Sequence, residues 1–114
     1  MKNFLLATLL ATFATGAFAH SDIKSIIPAN NTTIESVPEE VVINFSKKTR
    51  ITKITMTHMT HPSVDLDIDG LKKFIKTATV PMEAMGAGTY KFEWRGLGQD
   101  GHAMKGEFMF EVAE

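Results

Sequence analysis

The side chains best suited to bind a metal ion in this 114-residue chain include two of its four histidines and one aspartate. Asp100 and His102 are separated by one glycine, in a short turn between two runs of alternating apolar and polar residues. His20 directly follows an A-x-A sequence at positions 17–19, which is typical of a signal-peptide cleavage site. Cleavage there makes His20 the first residue of the mature protein.

A histidine at a free amino terminus offers two nitrogen donors, the α-amino group and imidazole Nδ1, which together can hold one ion in a chelate ring. Nitrogen donors in a tetragonal arrangement suit Cu(II), which also heads the affinity order of divalent metals. If the turn lies near the amino terminus, His102 adds a third nitrogen and Asp100 an oxygen. The alternative is an ordinary Asp-Gly hairpin turn, with His20 an unstructured terminal residue.

A second group of candidate ligands contains Met56, His58, Met59 and His61. Thioether sulfur favours Cu(I), whereas imidazole accepts either copper state. On a continuous strand Met56 and His58 share one face and the other two residues share the opposite face, unless the chain turns at Thr60. The alternative is that Met56 belongs to the core and the rest form a polar loop.

The composition excludes several other functions. The 12 basic and 13 acidic residues give a net charge of −1, and no basic cluster in the sequence predicts a nucleic-acid partner. There is no cysteine, so a transition-metal site must use histidine, methionine, carboxylates or the amino terminus. The chain contains no nucleophile elbow and no phosphate-binding glycine loop.

The chain is predicted to consist of a signal peptide, residues 1–19, and one small exported domain, residues 20–114. Lys2 precedes an apolar run that is too short to favour a membrane-spanning helix. Alternating patterns after the cleavage site predict about seven short strands, and therefore a β-sandwich or Greek-key barrel. The predicted strands are 22–27, 41–45, 51–58, 64–68, 75–80, 90–94 and 104–112.

The alternation also predicts which side chains face the core. Thr52, Ile54, Met56 and His58 are expected to share one face, with Ile51 on the other. The aromatic side chains expected in the core are Phe45, Tyr90, Phe92, Trp94, Phe108 and Phe110.

With these residues in view, the sequence resembles the CopC family of periplasmic copper-binding proteins. The likeness covers nearly the whole mature chain and includes an amino-terminal histidine, G-T-Y-x-x-x-W and D-x-H in that order. The matching segments are His20, Pro28–Ala29, Ile43–Ser46, Lys53–Thr57, Gly86–Tyr90 leading to Trp94–Arg95, and Asp100–His102 before Gly106.

The resemblance implies a seven-stranded, cupredoxin-like or immunoglobulin-like barrel. It also implies that Cu(II) is held by the amine and ring of His20, by His102 and by Asp100. Some family members carry a second, methionine-rich Cu(I) site after the T-M-T strand. Met56 and Met59 match the start of that motif, although its further closely spaced methionines are missing here.

The predicted function is that of a monomeric, periplasmic protein that sequesters or carries copper for resistance or homeostasis and is not an enzyme. The resemblance suggests an inner-membrane transporter of the CopD type as a partner. Two alternatives stay open. One is an oxidative copper enzyme with an amino-terminal histidine brace, and the other is a metal-free immunoglobulin-like interaction module.

Overall fold

The computed structural model describes residues 22–113, and every regular element in this range is a β-strand, as the sequence predicts. His20 and the predicted signal peptide lie outside the described residues. Between residues 22 and 113 no helix is long and apolar enough to span a membrane. The strands are β1 (Ile23–Ile27), β2 (Thr32–Ile34), β3 (Glu40–His58), β4 (Val64–Asp65), β5 (Ile75–Pro81), β6 (Gly88–Gly98) and β7 (Ala103–Val112).

The long strand β3 organises the sheet because it has neighbours along both edges. On one edge it pairs with β1 along its first half and with β6 along its second half. On the other edge it pairs with β5 and then β4. The sheet continues from β6 through β7 to β2, which runs parallel to β7. The sequence predicted two separate strands in the region of β3. The observed strand is continuous, and Thr49, which lies between the two predicted segments, pairs with both Ile75 and Gly98.

A bulge in β3 makes one prediction wrong. Ile51 lies opposite Gly96 and Lys53 lies opposite Arg95, so Thr52 is an extra residue in the ladder. The extra residue reverses the inward and outward alternation on its amino-terminal side. Ile51 is therefore fully buried and Thr52 is exposed, the opposite of the pattern expected from strict alternation.

The predicted aromatic core is confirmed, since all six side chains are at most 3% exposed. The rings of Phe92 and Phe108 stack with their centroids 4.8 Å apart, and Phe45 meets Trp94 edge to face at 5.4 Å. Leu66 is buried as the alternating pattern around it predicts, although only Val64–Asp65 of that segment forms a strand. Burial of large apolar rings on one face fixes the register of β6 against its neighbours.

Strand β6 connects two ends of the fold, roughly 30 Å apart by the usual rise per residue. The turn end contains Gly98, the turn 99–102 and residues 46–50 of β3, because Thr49 lies opposite Gly98. The loop end contains His58, the loops 59–63 and 82–87, and Gly88. Asp100 and His102 therefore lie at the opposite end of β6 from His58, Met59 and His61.

Gly106 is required where β7 crosses the indole of Trp94. A Cβ at this position would lie 2.7 Å from Trp94 Nε1 and 3.1 Å from Cε2, and the rigid, buried ring cannot yield without disturbing the core. We expect Gly106→Ala to lower the free energy of unfolding by about 1–3 kcal/mol, measured by urea denaturation. The exposed neighbour Glu107→Ala is the control and should cost less than about 1 kcal/mol.

Candidate metal sites

The turn between β6 and β7 is closed by its own backbone. Gly98 N donates to His102 O at 2.9 Å, and Gly101 N donates to Gly98 O at 3.0 Å. Gly101 has φ +87°, a conformation that glycine adopts without strain. Asp100 Oδ1 accepts a hydrogen bond from His102 N at 3.0 Å. These bonds fix the aspartate and the histidine on a short, constrained segment.

The side chains of Asp100 and His102 also contact each other. His102 Nδ1 donates to Asp100 Oδ2 at 2.8 Å. The histidine side chain is 85% exposed, so Nε2 remains available to a ligand from solvent. A carboxylate that holds one imidazole nitrogen orients the ring and raises its basicity, as partners of metal-bound histidines commonly do. The pair can therefore act as one ligand with an orienting carboxylate, or as two ligands.

The same contact shifts both pKa values. Hydrogen bonds from the His102 backbone and side chain lower the pKa of Asp100. The hydrogen bond to Asp100, followed by Coulombic attraction, raises the pKa of His102. Both groups are charged, and their contact stabilises the fold, between pH 3.8 and pH 6.5, which are the ordinary pKa values of the two groups. Its contribution is lost as pH falls through the lowered pKa of Asp100 or rises through the raised pKa of His102.

The start of the described chain lies at the turn end. Ser46 N donates to Asp22 O at 2.8 Å, and three residues further along β3 Thr49 lies opposite Gly98. His20 lies only two residues before Asp22, a reach of about 7 Å in an extended chain. Among residues 22–113, no three His, Asp or Glu side chains converge in a group that could hold a metal ion.

At the loop end the chain turns sharply and brings His58 and His61 together. Met59 has φ +56°, and the two Nδ1 atoms are 3.4 Å apart with the rings stacked. His61 Nδ1 also donates a hydrogen bond to His58 O at 3.0 Å, so an ion bound between the two Nδ1 atoms would have to replace the proton of His61 Nδ1 and this contact. Two nitrogens that bind one ion at about 2.0 Å each lie roughly 3 Å apart, which is close to this separation. Met56, in contrast, is fully buried in the core, where its thioether serves packing. The structure thus joins the two histidines, and Met56 is buried in the core on the same face of β3 as His58.

The tautomer of His58 follows from its surroundings. This side chain is 4% exposed, and its Nε2 lies 2.8 Å from Ala87 O, which can only accept a hydrogen bond. In the neutral ring the proton is therefore on Nε2, and Nδ1 presents a lone pair towards His61. A backbone carbonyl that holds the distal N–H is the usual partner of a metal-bound histidine.

Met59 and Gly88 complete this cluster. Met59 is 57% exposed, and its Sδ accepts a contact from Thr89 N at 3.4 Å. A Cβ on Gly88 would lie 2.6 Å from Met59 Sδ and 3.0 Å from His58 Nε2, so a side chain here would displace Met59, and the φ of +124° also favours glycine. The sequence offered no reason to connect Gly88 or Ala87 with this site, apart from the glycine-rich loop before β6.

Tyr90 holds the loop that carries Ala87. Its hydroxyl donates to Gly86 O at 2.6 Å and accepts from Met85 N at 2.8 Å. Its ring lies 4.5 Å from that of His58. The sequence predicted Tyr90 as core only, but its hydroxyl also fixes the carbonyl that orients His58.

Comparison with known proteins gives the family. Residues 23–113 match the family described as the CopC domain. The chain belongs to the CopC family. It is 30% identical to copper resistance protein C of Escherichia coli over 121 residues, covering 97% of this chain and 95% of that protein. The resemblance predicted from the sequence is thus confirmed.

Two solved CopC structures resemble this chain. CopC from Methylosinus trichosporium OB3b gives a TM-score of 0.66 at 21% identity, over 82% of this chain and 93% of its own, which establishes the shared fold. PcoC from Escherichia coli, described as a methionine-rich copper resistance protein, gives 0.58 at 27% identity, over 81% of this chain and 97% of its own. The curled seven-stranded sheet is therefore a cupredoxin-like CopC fold, as expected.

The pairing of the turn residues can be tested in the metal-free protein. We expect Asp100→Asn to lower the pKa of His102 towards 6.5, because the substitution removes the charged acceptor of its Nδ1 proton. The measurement is an NMR titration of the imidazole resonances. Glu107→Gln removes a carboxylate from the same strand pair and serves as the control. A pKa that is unchanged by Asp100→Asn would contradict the contact.

Proposed function

We propose that this CopC-family protein binds one Cu(II) ion at the turn end and carries or sequesters copper for resistance or homeostasis. The proposed ligands are the α-amino group and Nδ1 of His20, the imidazole of His102 and the carboxylate of Asp100. The observation that carries the proposal is the hydrogen bond from Ser46 N to Asp22 O, since it holds Asp22, two residues after His20 in the sequence, at the turn end.

The donor set accounts for the choice of metal. Three nitrogens and one carboxylate oxygen in a tetragonal arrangement suit Cu(II), and the absence of cysteine removes the thiolate ligands typical of structural zinc sites. The charge of Asp100 partly offsets that of the ion. The imidazoles must be deprotonated to bind, so affinity falls as the solution becomes more acidic.

A carrier or store fits this site better than an enzyme. An oxidative enzyme with a histidine brace needs an open coordination position and a broad substrate surface, whereas four protein donors leave little room at the ion. The name of the Escherichia coli relative, copper resistance protein C, supports the same choice. We propose a monomer in the periplasm, reached through the signal peptide 1–19, with a CopD-type membrane transporter as the receiving partner.

The role of the free amino terminus gives the decisive experiment. A protein that begins at His20 is compared with one that keeps Ala19, in which an amide replaces the α-amino group and breaks the chelate ring. We expect the extended protein to bind Cu(II) more weakly by on the order of 100-fold in a competition titration, or about 2.7 kcal/mol.

Two variants of the processed protein complete the test. His102→Ala should also weaken Cu(II) binding, whereas His61→Ala at the opposite end should leave it unchanged. Equal affinity of the extended and processed proteins would rule out coordination by the amino terminus.

We propose a second site, for Cu(I), at the loop end. The observation that favours it is the 3.4 Å separation of the Nδ1 atoms of His58 and His61, beside the exposed thioether of Met59. Two imidazoles and one thioether form a soft donor set that suits Cu(I). Met56, which is sealed in the core, packs beneath this site in the proposal and is not a ligand.

The Cu(I) site is tested by a nearly isosteric substitution. We expect Met59→Leu to weaken Cu(I) binding by about tenfold in an anaerobic chelator competition, because the sulfur is lost while the volume is kept. Met109→Leu changes another exposed methionine, on β7, and should have no effect. Cu(II) binding should be unchanged in both variants, and an equal loss of Cu(I) affinity in both would contradict the site.

A further inference from the structure

Three basic residues stand directly beside one another across the outer face of the sheet. Lys53 on β3 lies opposite Arg95 on β6, and Arg95 lies opposite Lys105 on β7. All three side chains are exposed. Like charges in directly opposed cross-strand positions destabilise a sheet, so this basic row has a cost that the fold itself does not require.

Neighbouring carboxylates do not neutralise the basic row. Glu93 and Glu107 lie in the next cross-strand row, but both are directed to Lys91, at 3.7 and 3.3 Å. The remaining ion pair within residues 22–113 joins Asp100 to His102. In this part of the chain the basic row therefore has no acidic partner.

The basic row lines a groove on the outer face of the sheet. The groove has a volume of about 460 Å³, and its walls include the three cations, Thr55, Glu93 and Glu107. The next two cross-strand pairs along β6 and β7 are Gly96–Met104 and Leu97–Ala103. They lead to the turn that carries Asp100 and His102. An occupant of the groove would therefore lie beside the turn end.

Charge is also unevenly distributed along the domain, although the carboxylates of Asp22 and Asp100 lie at the turn end and Lys91 lies next to the loop end. Because Thr49 pairs with Ile75, the segments on either side of these two residues meet at the turn end. Their exposed cations are Lys47, Lys48, Arg50, Lys72, Lys73 and Lys76. Carboxylates collect at the loop end, where Glu40 lies opposite Pro81 and Val112 lies opposite Gly88, and they are Glu35, Glu39, Glu40, Glu83 and Glu111. The excess of cations over carboxylates around the turn end attracts a partner of negative charge.

We propose that the basic row is a docking site for an acidic polypeptide segment, which it holds beside the turn end. This inference goes beyond copper binding and does not depend on it. Glu93 and Glu107 share the groove, so they repel a continuous polyanionic surface such as an anionic membrane or a nucleic-acid backbone. Separate carboxylates along a peptide can instead reach the three cations individually and avoid the two glutamates.

The test uses the metal-free protein that begins at His20 and a fluorescently labelled peptide in which glutamates are separated by uncharged residues, with binding followed by anisotropy at physiological ionic strength. Lys53→Gln/Arg95→Gln/Lys105→Gln is expected to raise the Kd at least about tenfold. The matched control, Ser36→Glu/Ala84→Glu/Ala113→Glu, changes the net charge by the same amount at the loop end. It should alter the Kd by no more than about twofold, because screening limits the reach of distant charges.

The remaining outcomes overturn the proposal. An equal loss in both triple variants would show that only net charge matters, and unchanged binding in the first would remove the basic row from the interaction. Phosphatidylglycerol vesicles and a single-stranded oligonucleotide are tested in parallel, and tighter row-dependent binding of either would replace the peptide as the occupant.

The first variant should also melt at a higher temperature than the parent, since it relieves like-charge repulsion. A lower melting temperature would assign the row to stability instead.

Discussion

The backbone ladder between β3 and β6 sets the position of both candidate metal sites. At one end it joins Thr49 to Gly98, the residue that begins the turn with Asp100 and His102. At the other end it joins His58 to Tyr90, whose hydroxyl holds the loop that orients His58. The ladder cannot slip by one residue without exposing the aromatic face of β6, so core packing and ligand geometry are secured by the same constraint.

The two ends prepare their ligands differently. At the turn end the histidine is exposed, and its orientation comes from one carboxylate and a closed backbone turn. At the loop end His58 is buried, and a carbonyl assigns its proton before any ligand arrives. The exposed pair suits exchange with solvent or a partner, whereas the buried histidine suits a fixed donor geometry. This contrast agrees with the proposal that this CopC-family protein has one Cu(II) site and one Cu(I) site.

The sequence predicted the elements whose pattern is local. Strict alternation in β6 and β7 predicted the hairpin and its aromatic core. The number of short alternating runs predicted a β-sandwich or barrel, and the family resemblance specified a cupredoxin-like or immunoglobulin-like one. The bulge at Thr52 was missed because hydrophobic alternation carries no sign of an inserted residue. The meeting of His58 and His61 depends on a positive φ at Met59, which a non-glycine residue rarely adopts. The basic row joins β3 to the hairpin of β6 and β7, which lies much further along the chain, so only the register of these strands reveals it.

The length of β6 has a consequence for how the ends communicate. Its span of roughly 30 Å is several times the Debye length of about 8 Å at physiological ionic strength. Charge that arrives at the turn end is therefore screened before it reaches His58 and His61. Occupancy of one end should leave the affinity of the other nearly unaltered, so the protein would act as two independent receptors on one rigid spacer. Substitutions that tune one receptor can then accumulate without disturbing the other.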